Sequence, residues 1–137
     1  MYTWSSAGFG SPLSLRDLLE NVHGPLYALL VRASCAIAGD SEWALRLPTA
    51  LAGVALTPAM AWLASAWLGR GAAIPAAWLT AFSPYLVWYA QEARGYTLVM
   101  LFSALSGTAL LTLRRSPGVR QALAYAVAAA AGLLSNF

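Results

Sequence analysis

The chain has no lysine, one cysteine, one histidine and only five acids in 137 residues. Charged residues make up 9% of it, against about 25% in an ordinary soluble domain. A soluble domain of this size needs more charge than that to cover its surface, which excludes the soluble class. The single Cys35 excludes an internal disulfide and says little about redox compartment. The eight basic residues are all arginine, with a net charge of +3, and only Arg114, Arg115 and Arg120 cluster. So dispersed a charge does not describe a nucleic-acid binder. Residues 1–10 hold neither a basic stretch nor an apolar core, so no signal peptide is expected there. Nucleotide-binding glycine loops, zinc motifs and nucleophile elbows are missing as well, and Gly8-x-Gly10 does not qualify.

What the chain does have is apolar length. It is 60% hydrophobic, with a mean hydropathy of +0.64. The class is integral membrane and all-α, with residues 1–137 as one membrane domain.

Ser11-Pro12 is a helix start, and Ser14 with Asp17 offers another one turn later. Leu15, Leu18, Leu19 and Val22 then form one apolar stripe, with Arg16, Asp17 and Glu20 off it. This helix lies in the headgroup plane, and the two acids sit on its solvated face. Asn21 to Pro25 break it. A second short helix is expected over residues 25–38. Crossing a bilayer takes about 20 residues, so a juxtamembrane or half-inserted helix is favoured over a tilted span with Arg32 turned toward other helices. Three spans follow, at 43–68, 72–90 and 96–113, with an incomplete fourth at 121–137. Pro48 and Pro58 lie inside the first span, where Thr49 and Gly53 form a small-xxx-small contact. A kink is expected at Ser83-Pro84, and Trp88 and Tyr89 fit an aromatic belt.

Arginines set the orientation. The loop at 114–120 is expected to be cytoplasmic. Threading backwards puts 91–95 outside, Arg70 inside, and Asp40 and Glu42 outside. If 25–38 does not cross, His23 also lies outside, on the same surface as Glu92 and Arg94.

The polar residues worth attention are therefore Gln91, Glu92 and Arg94, between two apolar runs. A guanidinium is a rigid bidentate fork for phosphate, and Glu92 is placed to orient it or an incoming hydroxyl. The plainer reading is a loop ion pair that reaches for water. His23, before Gly24-Pro25, is a candidate for phosphate or metal, though no second ligand stands at a metal spacing. Packing at the interface is its plainer role. Arg32 and Arg46 fall within apolar sequence and either reach for water or pair with Glu42.

The order of His23-Gly-Pro-Leu-Tyr27, Glu42-x-x-Leu45-Arg46-Leu47-Pro48, Ser83-Pro84 and Gln91-Glu92-Ala93-Arg94-Gly95-Tyr96 resembles the multispanning C-type glycosyltransferases. Within them it is most similar to the bacterial branch related to protein O-mannosyltransferases and aminoarabinose transferases. The likeness runs from about Tyr2 to Asn136. The branch usually reads His-Pro-Pro-Leu-Tyr, and here Gly24 replaces the first proline. The resemblance implies transfer of a sugar from a polyprenyl-phosphate carrier to an acceptor at the outer face of a bacterial inner membrane. It makes Arg94, Glu92, Gln91, Tyr96 and His23 the candidates for lipid-phosphate and substrate binding. The family's first outer loop carries an Asp-Glu pair, whose Asp acts as general base or metal ligand. No such pair stands in this sequence. A divalent metal in the complete enzyme is compatible with the resemblance, with His23 its one candidate ligand here. The reading that results is a partial module, truncated at both ends and inactive alone. Its partners would be membrane lipids, the lipid-linked donor and either missing helices or its own copies, with no nucleic acid. The alternative is a non-catalytic helical scaffold or transporter fragment.

Overall fold

The computed structural model describes residues 24–39 and 41–135. Among them there are α-helices, one 3-10 turn and no strand. The helices are α1 (Pro25–Ala38), α2 (Glu42–Leu68), α3 (Ala73–Ala81), α4 (Pro84–Gln91), α5 (Tyr96–Arg115) and α6 (Val119–Leu134). The expected helix at 11–22 lies outside the described residues.

Local chemistry explains the boundaries. Pro25 opens α1, where its missing N–H costs nothing. Ser41 caps α2, its Oγ accepting from the Ala44 N–H at 3.2 Å. α2 then runs 27 residues, through Pro48 and Pro58. The segment expected as one span over 72–90, kinked at Ser83-Pro84, is built of two helices, α3 and α4, parted at Phe82 and Ser83. Proline drives this break rather than a mere kink. Pro84 has no N–H for the Thr80 carbonyl, and it disfavours helical backbone at the residue before it. Ser83 is extended, at ψ 114°. Its N–H takes the Thr80 carbonyl at 3.4 Å, and its Oγ caps α4 at the Leu86 N–H, 3.5 Å away.

The long helices run from end to end. α2 starts beside Gln91 and finishes where the Arg115 guanidinium donates to the Ala66 carbonyl. The chain returns through α3 and α4, descends along α5 and climbs again along α6. Ser135, just past α6, lies directly above Gly95. The molecule thus has a Gln91 end and an Arg115 end. α1 meets only the first. Its Tyr27 packs against Gly95, and its Ala38 borders the same groove as Ala90 and Gln91. It therefore crosses that end instead of running the bundle's length.

Beneath α1, a core of Tyr27, Val31, Cys35, Ala44, Leu45, Ala52 and Leu98 fastens it to α2 and α5. A second core, of Leu56, Ala59 and Ala104, joins α2 to α5 lower down. Gly53 marks a close approach of α2 to α4: an added Cβ would stand 2.6 Å from Ala90 Cβ. This is the helix contact expected at Thr49 and Gly53.

Among the described residues, α2 and α5 are long and apolar enough to cross a membrane. Only 22% of each apolar window is buried within the structure. The central helix of a soluble protein is mostly buried, so these faces are not hidden by their own fold. Trp62, Trp67, Ile74, Leu79 and Phe82 all stand on the exterior. That exterior suits hydrocarbon and would aggregate in water.

Candidate functional site

The segment from Gln91 to Tyr96 folds as a short reversal between α4 and α5. The Arg94 N–H donates to the Glu92 carbonyl at 2.9 Å, closing the turn. Thr97 Oγ1 donates to the Tyr89 carbonyl at 2.9 Å, stitching its two limbs together. Tyr85, Tyr89 and Tyr96 form a ring ladder alongside, with the Tyr89 and Tyr96 centroids 5.5 Å apart and edge-on. The turn is thus held from several sides, as a binding loop must be if its side chains are to be aimed.

Within it the side chains divide. Glu92 is half-buried, and its Oε1 accepts from Trp88 Nε1 at 3.3 Å. Arg94 and Gln91 are exposed. Arg94 makes no ion pair among the described residues. The plainer reading, a loop pair of Glu92 with Arg94, is therefore not what the side chains form. Gln91, Glu92 and Arg94 line one open pocket of about 370 Å³, with Trp88, Ala93 and Arg46.

Arg46 is the addition that sequence reasoning did not assign. It comes from α2, and its Nη2 lies 2.5 Å from Glu42 Oε1, one helical turn back. The pocket so receives guanidinium groups from two separate elements. Arg46 is held by a carboxylate, and Arg94 has none among the described residues. The signal was present: placing Glu42 and residues 91–95 at one end also brings Arg46 there. A second groove, of about 650 Å³, adjoins it and is lined by Trp43, Leu47, Ala50, Ala90, Gln91 and Arg46 among others.

His23 lies outside the described residues. The residue after it, Gly24, is buried at φ 67°, a left-handed conformation that proline cannot adopt. Gly24 thus changes how the chain enters α1, relative to the His-Pro-Pro pattern. Three residues on, Tyr27 is buried at the Gly95 contact, and burial with Cys35 nearby pushes its phenol up to about 12. Gly95 has φ −68°, open to any residue, so glycine is there for space: an added Cβ would run into the Ser135 carbonyl. No three His, Cys, Asp or Glu side chains gather among the described residues, so no metal step is drawn from them.

Among the described residues, a helical bundle with apolar faces turned outward and charged side chains gathered at its two ends is the build of a polytopic membrane protein. A family model described as dolichyl-phosphate-mannose-protein mannosyltransferase matches residues 22–137, and the chain belongs to that family. The family is one of integral membrane glycosyltransferases. No curated protein and no solved structure matches the chain.

Proposed function

We propose that this chain supplies the carrier-phosphate end of an enzyme that moves a sugar from a polyprenyl-phosphate donor to an acceptor at the extracytoplasmic membrane face. The observation that carries this is the pocket shared by Arg94, Arg46, Gln91 and Glu92. A lipid-linked phosphate needs a cationic site at the water boundary, beside an apolar path for its tail. Arg94 offers a bidentate fork with no carboxylate partner among the described residues. Glu92, steadied by Trp88, orients the phosphate's neighbours or an acceptor hydroxyl. Tyr96 walls the loop, and His23, which directly precedes Gly24 in sequence, is the further candidate for the same ligand. The adjoining, mostly apolar groove of about 650 Å³ has the volume to take the first isoprene units.

The sugar's acceptor must lose a proton, and a positioned carboxylate is worth about 10² to 10⁴ in rate for that step. The resemblance implies an Asp-Glu pair for this step, and this sequence has none. The chain alone therefore binds the carrier but does not turn it over. A polyprenyl-phosphate titration of the detergent-solubilised chain tests the binding half. Arg94→Ala should weaken binding by about tenfold or more, the usual loss of one charge-assisted pair. Arg94→Lys should recover only part, because lysine cannot present a fork. Unchanged affinity in Arg94→Ala would refute the role.

A further inference from the structure

Four of the eight arginines gather at the end of the bundle remote from Gln91. Arg115 donates to the Ala66 carbonyl and ties the finish of α2 to the finish of α5. Arg114 precedes it, Arg70 follows the turn after α2, and Arg120 lies in the first turn of α6. All are exposed, and Arg70, Arg114 and Arg120 make no ion pair among the described residues. The sequence has no acid between Glu42 and Glu92 and none after Glu92. Both of those acids stand at the opposite end. Next to the arginines in the chain are the exposed apolar side chains of Trp67, Leu68, Ile74 and Val119.

Cations beside indole and aliphatic side chains match the boundary between phospholipid headgroups and acyl chains. A nucleic acid or an acidic protein would meet the same charge, but would leave Trp67 and its neighbours in water. We infer that this end of the bundle is a binding surface for anionic phospholipid headgroups, with Arg70, Arg114 and Arg120 as its cations. Arg115 is engaged in joining two helices and serves structure first. This surface is independent of the Arg94 pocket, and either can fail without the other.

The test is native mass spectrometry of the detergent-solubilised full chain, offered equal amounts of phosphatidylglycerol and phosphatidylcholine. Phosphatidylglycerol should be retained in preference. That preference should fall by up to about fivefold for each of Arg70→Gln, Arg114→Gln and Arg120→Gln, the weight of one arginine near an anionic surface. It should also fall as salt rises from about 0.05 M to about 0.5 M. Arg94→Gln, at the other end, should lower it by less than the triple variant does. Equal retention of the two lipids by the unmodified chain would overturn the inference. So would a full preference in the triple variant with its helical circular dichroism intact, or an equal loss in Arg94→Gln. If the triple variant does not fold, the single variants and the salt series decide, and a preference that neither of them lowers also overturns it.

Discussion

Arg94 and Glu92 stand two residues apart and do different things. Glu92 is turned back to Trp88, while Arg94 is left facing the pocket. An exposed ion pair between them would have contributed little, about 0 to 1 kcal/mol, and would have masked the guanidinium. Among the described residues no carboxylate pairs with it, so its guanidinium is open to an anionic ligand. Gly95 contributes by what it lacks. Its backbone is ordinary, yet the Ser135 carbonyl and Tyr27 close over the place where a side chain would begin. Gly95→Ala should therefore destabilise the chain by about 1–3 kcal/mol, the cost of overpacking. A thermal melt in detergent, beside the polyprenyl-phosphate titration, checks this. A variant with unchanged melting and unchanged binding would mean that the close approach is not real. None of this could be read from residue order alone, because Gly95 and Ser135 are 40 positions apart and meet only through the return of α6.

Among the helices, the ones legible in sequence were those with long apolar runs and clear caps. Ser41 and Glu42 open α2, and Arg114 and Arg115 close α5 with basic residues at its negative end. Proline was harder. Pro48 and Pro58 pass through α2 without ending it, whereas Pro84 divides a helix. Ser83 before Pro84 caps the helix that restarts there, whereas α2 runs on through both Leu47-Pro48 and Thr57-Pro58, so the residue type before proline does not by itself decide. Gly53 shows the same dependence on context. Its spacing from Thr49 signalled a close contact, but only the fold says that Ala90 and Thr97 are what it meets. Gly53→Val should drive α2 away from α4 and α5 and lower thermal stability by about 1–3 kcal/mol. Gly71→Val, where an added Cβ meets nothing within 4 Å, is the control expected to melt as the unmodified chain does.

Taken as one body, the chain is polarised. Its described carboxylates and the two pocket arginines occupy one end, and four other arginines occupy the opposite end. The arginine distribution in the sequence carried that polarity, since basic loops alternate with acidic ones along the chain. The pocket itself was half legible. Gln91, Glu92 and Arg94 are adjacent and stood out in apolar surroundings, whereas Arg46 reaches them only through the antiparallel return of the chain. We propose that the Gln91 end faces away from the cytoplasm. With buried Cys35 replaced by alanine as background, Ala93→Cys should react with an impermeant maleimide on intact cells. Ser116→Cys should react only after permeabilisation. The reverse pattern would invert the proposed orientation while leaving the pocket intact.

The most direct measurement is photo-crosslinking with a polyprenyl phosphate that carries its reactive group beside the phosphate. We predict that labelled peptides will come from residues 91–96 and from the start of α2 around Arg46, and that Arg94→Ala will abolish the label on the first. Labelling confined to residues 114–120, or undiminished labelling of 91–96 in Arg94→Ala, would contradict a phosphate site at the Gln91 end.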